Sequence, residues 1–211
     1  MGKNPALTPH KIIAGCDCAY SKDGKIQICF AVLISLSNFK VIEFTSSKFK
    51  NPKDYIPGKF YLREGDISIE TIKKLKNKFN LLFIDGHGKA NVEGKGLACY
   101  IGENLKIPTI GIAKDLLFGS FSNLGIKRGS TSDIFYKSKK IGYALRSREN
   151  VKPIFISEGY NADIIKFKDL IVSSCKYRIP EPIRIAHILA KKQVLCNENG
   201  IVEPNSNYQS F

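Results

Sequence analysis

Acidic residues occur at three places in the sequence where a carboxylate is uncommon. Asp17 stands inside an apolar run, and Asp85 ends a second apolar run and opens the turn Asp85-Gly86-His87-Gly88. Glu64 closes a loop that contains two prolines and a glycine. Carboxylates brought close together repel unless a cation lies between them, and such oxygen ligands suit Mg²⁺, with Mn²⁺ as a substitute. A centre of this kind activates water and stabilises the leaving oxygen of a phosphodiester. Each acid taken singly is equally compatible with a cap, a turn or an ion pair.

The loop Tyr55-Ile56-Pro57-Gly58 is the second chemical feature. Pro57 stiffens the loop, while Tyr55 and Ile56 offer flat and apolar surface. A rigid exposed wedge of this kind can enter a base stack and unstack a step. An aromatic side chain that packs back on the core is the alternative interpretation.

The elements that position these residues follow from periodicity. The first part of the chain predicts an antiparallel meander of three strands, over 11–20, 25–36 and 41–49. If the first strand lies beside the buried strand 81–84, Asp17 and Asp85 become neighbours. Asp66 is predicted to cap a helix whose apolar residues continue to Phe79.

The remaining chain predicts further helices over 93–105, 161–175 and 181–196, single strands over 109–113 and 153–157, and a pair of short strands over 132–144. The order helix–strand–helix–strand over 66–113 implies parallel pairing. The fold class is therefore α/β: a ribonuclease H-like mixed sheet, with an antiparallel three-stranded meander plus parallel strands, flanked by helices. We predict a single domain over 1–211, with a core of about 11–196 and a polar tail over 197–211.

Composition narrows the class of partner. The formal net charge of +14 favours a polyanion such as nucleic acid. No secretory signal or membrane-length apolar run is present, so we expect a cytoplasmic protein without a membrane partner. The six cysteines are expected to be reduced, and their spacing does not match a zinc site. Nothing indicates an obligate partner, so a monomer is expected.

Several longer motifs narrow the prediction to a family. They occur in the order YIPGKFYLRE (55–64), FIDGHGKANVEGKGLA (83–98), PTIGIAKDLL (108–117), KPIFISEGYN (152–161) and YRIPEPIRIAHIL (177–189). In order and spacing, over about residues 12–190, the sequence resembles endonuclease V. The family cleaves the second phosphodiester bond on the 3′ side of inosine, uses Mg²⁺, and leaves 3′-hydroxyl and 5′-phosphate ends. Some members act on deoxyinosine in DNA and others on inosine in RNA.

The resemblance implies roles residue by residue. Asp17, Glu64 and Asp85 match the family's metal-binding and catalytic carboxylates. His187 matches a further active-site position, and Lys114 matches a lysine near the scissile phosphate, where a cation offsets developing charge.

The resemblance also implies a site for a flipped base. Tyr55, Ile56 and Pro57 match the family wedge. The positions that match the pocket for the flipped hypoxanthine are Gly58, Gly86, Gly96, Leu97 and Leu117. Glycines suit such a pocket because the backbone approaches the base closely.

The sequence departs from the family pattern beside this pocket. Asn91 replaces a histidine, and Val92 and Glu93 replace a proline and a basic residue. Asn91 cannot titrate, but its amide can hydrogen-bond a substrate. The helix that family members have ahead of the first strand is not predicted here. Two alternatives to an inosine-directed endonuclease remain: a protein that binds inosine without cutting, and a different ribonuclease H-like nuclease.

Overall fold

The computed structural model describes residues 12–199, and eight strands there form one sheet. They are β1 (Ile12–Tyr20), β2 (Ile26–Ser35), β3 (Val41–Lys50), β4 (Leu82–Asp85), β5 (Thr109–Ala113), β6 (Thr131–Tyr136), β7 (Lys139–Leu145) and β8 (Ile154–Glu158). Their order across the sheet is β3-β2-β1-β4-β5-β8-β7-β6. Strand β4 is parallel to β1 and β5, and the other neighbours are antiparallel. The predicted mixed sheet with its meander is confirmed.

Helices cover both faces of the sheet. They are α1 (Tyr61–Lys73), α2 (Leu97–Leu105), α3 (Lys168–Ser173) and α4 (Glu181–Glu198). On one face, Ile67 of α1 and Ile101 of α2 pack against Leu82. On the other face, Leu189 of α4 packs against Phe30. Within residues 12–199, no helix is long and apolar enough to cross a membrane.

Burial along the strands follows from these layers. Strand β2 is an almost continuous apolar run and is buried from Gln27 to Ile34, because helices cover both of its faces. Strand β3 is an edge strand, and its residues alternate between exposed and partly buried. The central strand β1 buries Asp17 between these layers.

Helix α1 begins earlier than predicted. It starts at Tyr61 rather than after Asp66, so Glu64 lies in its first turn instead of at the end of a loop. No side chain caps this end, and Gly58 ends the loop with a positive φ of 80°. The helix also ends before Phe79, which packs on the core from the loop that follows the helix. The missing cap signal explains the wrong start.

Two other predicted helices are shorter in the structure. Helix α2 begins at Leu97 rather than at 93, because Gly94 adopts a positive φ of 68° within a turn. Only 168–173 of the predicted helix 161–175 is helical, although Ala162 and Cys175 outside it are still buried. Apolar spacing there reports burial rather than helix. The described residues do not include 1–11 and 200–211. The predictions about a helix before the first strand and about most of the polar tail fall on these residues.

Gly15 sets the distance between β1 and α4. A Cβ at this position would lie 2.4 Å from the carbonyl carbon of Pro182 and 2.6 Å from the backbone nitrogen of Ile183. Pro182 belongs to the first turn of α4, where proline suits the start of a helix. The helix therefore rests backbone-to-backbone on the strand that carries Asp17.

We predict that Gly15→Ala lowers the free energy of unfolding by about 3 kcal/mol, because backbone atoms cannot move aside for the added methyl group. Urea unfolding measures the change. The control is Gly24→Asn, in a turn with open space and a φ of 72°, where asparagine is tolerated and the change stays below about 1 kcal/mol. Equal stability of the two variants would contradict the close contact.

Candidate active site

The strand register brings two of the predicted carboxylates together. Cys16 of β1 pairs with Ile84 of β4 in the parallel ladder, so Asp17 and Asp85 follow side by side. One ligand atom from each of Asp17, Asp85 and His187 lies within 4.8 Å of the other two. We call these three residues the carboxylate–histidine cluster. Its donor set is two carboxylate oxygens and an imidazole nitrogen.

Asp17 is fixed from two sides. Nδ1 of His187 lies 2.7 Å from Oδ2 of Asp17, where a protonated Nδ1 donates to the carboxylate. The backbone N–H of Cys18 donates to Oδ1 at 2.7 Å. Asp17 is only 7% exposed. Because α4 rests on β1 at Gly15, the same packing that buries Asp17 also brings His187 to it.

Asp85 has a lysine partner. Nζ of Lys114, the residue directly after β5, forms an ion pair with Oδ2 of Asp85. The guanidinium of Arg178 donates to the carbonyl oxygen of Lys114, and also to that of Pro153 at 2.8 Å. Arg178 therefore anchors the backbone from which the Lys114 side chain reaches the cluster.

Glu64 lies beside the cluster rather than within it. Its side chain is buried, and its Oε1 accepts a hydrogen bond of 2.8 Å from the hydroxyl of Tyr20. That hydroxyl in turn accepts a hydrogen bond of 2.9 Å from Nε2 of Gln27. The chain Gln27–Tyr20–Glu64 leaves Oε2 of Glu64 without a partner in this network.

The carboxylates repel one another in this buried setting. Burial first, and the charge of Asp17 second, raise the pKa of Asp85 to about 6, against the opposing effect of Lys114. Burial and Asp17 also hold the pKa of Glu64 well above its usual range. Burial opposes the charge on Lys114, but Asp85 and Asp17 together raise its pKa above the ordinary lysine value. The site thus favours additional positive charge.

These properties fit a divalent cation. The carboxylate–histidine cluster offers hard oxygen ligands and one nitrogen, a set that suits Mg²⁺ or Mn²⁺. Among the described residues, no other group of three or more His, Cys, Asp or Glu side chains brings its ligand atoms within 4.8 Å of one another. Glu64 is not a member of this cluster. The raised pKa values show the electrostatic reason for a cation at this place.

A cavity of about 400 Å³ joins the cluster to the predicted base pocket. This is large enough for a small organic ligand. The predicted site residues that line it are Asp17, Tyr55, Gly58, Glu64, Asp85, Gly86, Asn91, Leu97, Lys114, Leu117 and His187. Ile56, Pro57 and Gly96 do not line it. Gly96 lies behind the wall, at the start of α2, with its backbone N–H bonded to the carbonyl of Gly88.

The wedge loop stands at the mouth of this cavity. Tyr55 is 51% exposed and Ile56 is 46% exposed, so neither residue packs back into the core. The ring of Tyr55 meets that of Phe60 edge-on, with centroids 5.9 Å apart. Nδ2 of Asn91 donates to the carbonyl oxygen of Gly58 at 3.0 Å. The loop therefore exposes Tyr55 and Ile56 to solvent, while the hydrogen bond from Asn91 holds it at Gly58.

Asn91 is bound on both sides of its amide. Besides the bond to Gly58, its Oδ1 accepts the backbone N–H of Glu93 at 3.0 Å. The side chain of Glu93 adds an ion pair of 3.8 Å with Lys59. Asn91 thus links the wedge loop to the turn over 91–94, while its side chain still borders the cavity.

Sequence reasoning missed three residues of this site. His87 lines the cavity, and its buried Nδ1 has no hydrogen-bond partner among the described residues. Burial lowers the pKa of its imidazole, which favours the neutral form. Its place in the turn Asp85-Gly86-His87-Gly88 was an available signal. Tyr20 and Arg178 act through long-range contacts for which the sequence offers no pattern.

Gly86 fits the turn that carries His87. Its φ of 147° lies in a region that side chains rarely adopt. The backbone N–H of Gly86 bonds the carbonyl of Ile112 at 3.2 Å, which closes the turn over the end of β5. At Gly86 the cavity is therefore lined by backbone rather than by a side chain.

Comparison with known proteins agrees with this geometry. The family model "Endonuclease V" matches residues 2–188. A protein named endonuclease V from Thermosipho melanesiensis is 39% identical over 186 residues, which is 86% of this chain and 81% of that protein. The crystal structure of the Bacillus subtilis endonuclease V superposes with a TM-score of 0.84 at 30% identity, covering 90% of this chain and 83% of the other.

A more distant structure shares the fold. Endonuclease V of Ciona intestinalis, solved with a 24mer DNA that contains an inosine followed by a ribo-adenosine, has a TM-score of 0.78 at 24% identity. It covers 90% of this chain, and this chain covers 87% of it.

We predict that Mn²⁺ binds more tightly as the pH rises through about 6. Below that pH the Asp85 carboxyl carries a proton, since its pKa is raised to about 6, and the cation must displace it. The gain approaches about tenfold per pH unit for each displaced proton. Isothermal titration calorimetry, in buffers of different ionisation enthalpy, measures both the affinity and the protons released.

Matched variants test the source of this dependence. Asp85→Asn should weaken Mn²⁺ binding and flatten its pH dependence, whereas Asp169→Asn, an exposed carboxylate on α3 outside the cavity, should change neither. Affinity that is constant between acid and neutral pH in the unmodified protein would refute the prediction.

Proposed function

The chain belongs to the endonuclease V family and is an endonuclease, and we propose that it cuts nucleic acid beside inosine. The bond hydrolysed is the second phosphodiester on the 3′ side of inosine or deoxyinosine, and the products carry 3′-hydroxyl and 5′-phosphate ends. The inosine-containing DNA in the Ciona structure supports this substrate. The reaction serves the repair of deaminated bases or the turnover of inosine-containing RNA.

One observation carries the proposal: the cluster, the base pocket and the wedge meet at one cavity. Asp17 and Asp85 line the same space as Gly86 and Leu117, and Tyr55 stands at its mouth. An enzyme that cuts beside a base it has extracted needs a base-sized recess within reach of its metal site. A nuclease that reads only the backbone needs no such recess.

The carboxylate–histidine cluster is proposed to bind Mg²⁺, with Mn²⁺ as a substitute. When bound, the ion supplies Lewis acidity toward a phosphodiester oxygen and toward water. Asp17 keeps its orientation through His187 and the N–H of Cys18.

Two further residues are proposed to act on charge and protons. Oε2 of Glu64 is suited to accept a proton from water, because burial and the charge of Asp17 raise the pKa of this carboxyl and so increase its affinity for a proton. Nζ of Lys114, anchored through Arg178, offsets negative charge that builds on the phosphate.

The base pocket is proposed to accept hypoxanthine against backbone. Gly86 contributes a wall without a side chain, and Leu97 and Leu117 contribute apolar surface. The imidazole of His87, whose neutral form burial favours, lines this space, and its buried Nδ1 has no hydrogen-bond partner among the described residues. Ile56 and Tyr55 occupy the stack that the flipped nucleotide leaves.

The decisive experiment uses labelled single- and double-stranded DNA and RNA, each with one inosine, incubated with Mg²⁺. We predict a single cut, at the second phosphodiester bond on the 3′ side of inosine, so that the 5′ product ends with the nucleotide that follows inosine. Asp85→Ala should lower the rate at least about a hundredfold, because it removes a cluster ligand. Ranking the four substrates identifies the preferred nucleic acid.

The same assay separates the alternatives. Selective binding of inosine strands without any product, unchanged in Asp85→Ala, would identify a binding protein instead. Cutting of strands that lack inosine at an equal rate would identify a different ribonuclease H-like nuclease.

We predict that Ile56→Ala impairs duplex cleavage more than single-strand cleavage. Removal of the wedge tip should lower kcat/KM for duplex about tenfold, because the tip no longer fills the opened stack, and single strands need no such opening. Ile42→Ala is the matched control, since Ile42 is 40% exposed against 46% for Ile56 and lies on the edge strand β3. Equal losses on both substrates would argue against a wedge.

A further inference from the structure

A second groove borders the catalytic cavity. It has a volume of about 490 Å³ and runs between the turn over 91–94, the β6–β7 hairpin and residues 164–165. Asn91 lines both spaces, and Leu117 of the cavity precedes Phe118 of the groove. A chain that leaves the base pocket past Asn91 therefore enters this groove directly.

The groove presents aromatic surface. The rings of Phe118 and Tyr136 meet edge-on with centroids 4.7 Å apart. Val92 and Ile165 are exposed apolar residues on its other walls, at 64% and 65% exposure. Paired aromatic rings at a groove wall are the kind of platform on which unpaired bases stack.

The charge of the groove favours a polyanion. Its acidic residues are neutralised, since Glu158 pairs with Lys89 at 2.7 Å and Glu93 pairs with Lys59 at 3.8 Å. Lys139 at the hairpin has no acidic partner within residues 12–199. Nζ of Lys137 lies 5.4 Å from the ring centroid of Tyr136, so a second positive charge adjoins the aromatic wall.

We propose that this groove binds the substrate strand on the 5′ side of the inosine. The assignment rests on the proposed function and on the relative positions of the cavity and the groove. The cut lies 3′ to the base, so the 3′ strand must cross the carboxylate–histidine cluster, whose residues line only the catalytic cavity. The groove opens on the other side of Asn91, where the 5′ strand leaves. An unpaired base stacks on the face of Tyr136 or of Phe118, whose planes meet at 79°, and phosphates lie near Lys139.

The test compares single-stranded DNA substrates with one deoxyinosine, a constant 3′ flank and a 5′ flank of one or about ten nucleotides. Fluorescence anisotropy without divalent metal measures Kd, and cleavage is measured with Mg²⁺. The unmodified protein should bind the longer substrate about tenfold more tightly. The double variant Tyr136→Ala/Lys139→Ala should lose that gain while still cutting the short substrate at the normal rate.

Two further variants keep the outcome interpretable. Tyr136→Phe retains the ring and should retain the gain, which excludes a simple loss of hairpin structure. Lys78→Ala removes an exposed lysine between α1 and β4 that does not line the groove, and it should leave the gain unchanged.

The outcomes distinguish this inference from the proposed function. If the unmodified protein cuts inosine strands but the double variant keeps the full 5′-flank gain, the groove assignment is wrong. In a reciprocal set of substrates with a constant 5′ flank, a gain in affinity that depends on the length of the 3′ flank and is lost in the double variant would overturn the 5′ assignment. If no inosine strand is cut, the proposed function itself fails.

Discussion

Repulsion between carboxylates is the constraint on which this site depends. Burial and the neighbouring Asp17 raise the pKa of Asp85 from 3.8 to about 6, which corresponds to a cost of about 3 kcal/mol for the ionised form. This value already includes the opposing effect of the Lys114 ion pair, and His187 contacts Asp17 on the other side of the cluster. A divalent cation at the proposed site would offset this cost, because it would interact with both carboxylates at once. The folded protein thus maintains an electrostatically unfavourable arrangement that favours the binding of a cation.

The scaffold tolerates this repulsion because its elements are closely packed. Strand β1 lies inside the sheet, and α4 packs directly on Gly15. Asp17 and His187 therefore cannot move apart unless the helix separates from the sheet. Arg178 performs the equivalent task for Lys114 through its backbone carbonyl. Residues far apart in the chain therefore share the work of holding charged groups together.

Asn91 connects the wedge loop to the turn beside the cavity. Its amide bridges the carbonyl of Gly58 and the N–H of Glu93, so the wedge loop and the turn over 91–94 are one structural unit. The same turn walls both the catalytic cavity and the neighbouring groove. A histidine, the residue that the resemblance to the family implies for this position, offers a different hydrogen-bond geometry. The asparagine provides a neutral amide that does not titrate.

The sequence by itself determined the strand pattern, the mixed sheet and most of the residues that meet at the cavity, although it missed His87. Alternating and continuous apolar runs are local signals, and the motifs around Asp85 and Tyr55 are contiguous, so both can be identified from the sequence. The start of α1, and with it the place of Glu64, could not be predicted because no side chain caps that helix. The tertiary structure alone decided that Glu64 stands beside the cluster, that Arg178 anchors Lys114, and that Gly15 admits α4. These relations join residues distant in sequence, and their distances arise from packing, which no local pattern encodes.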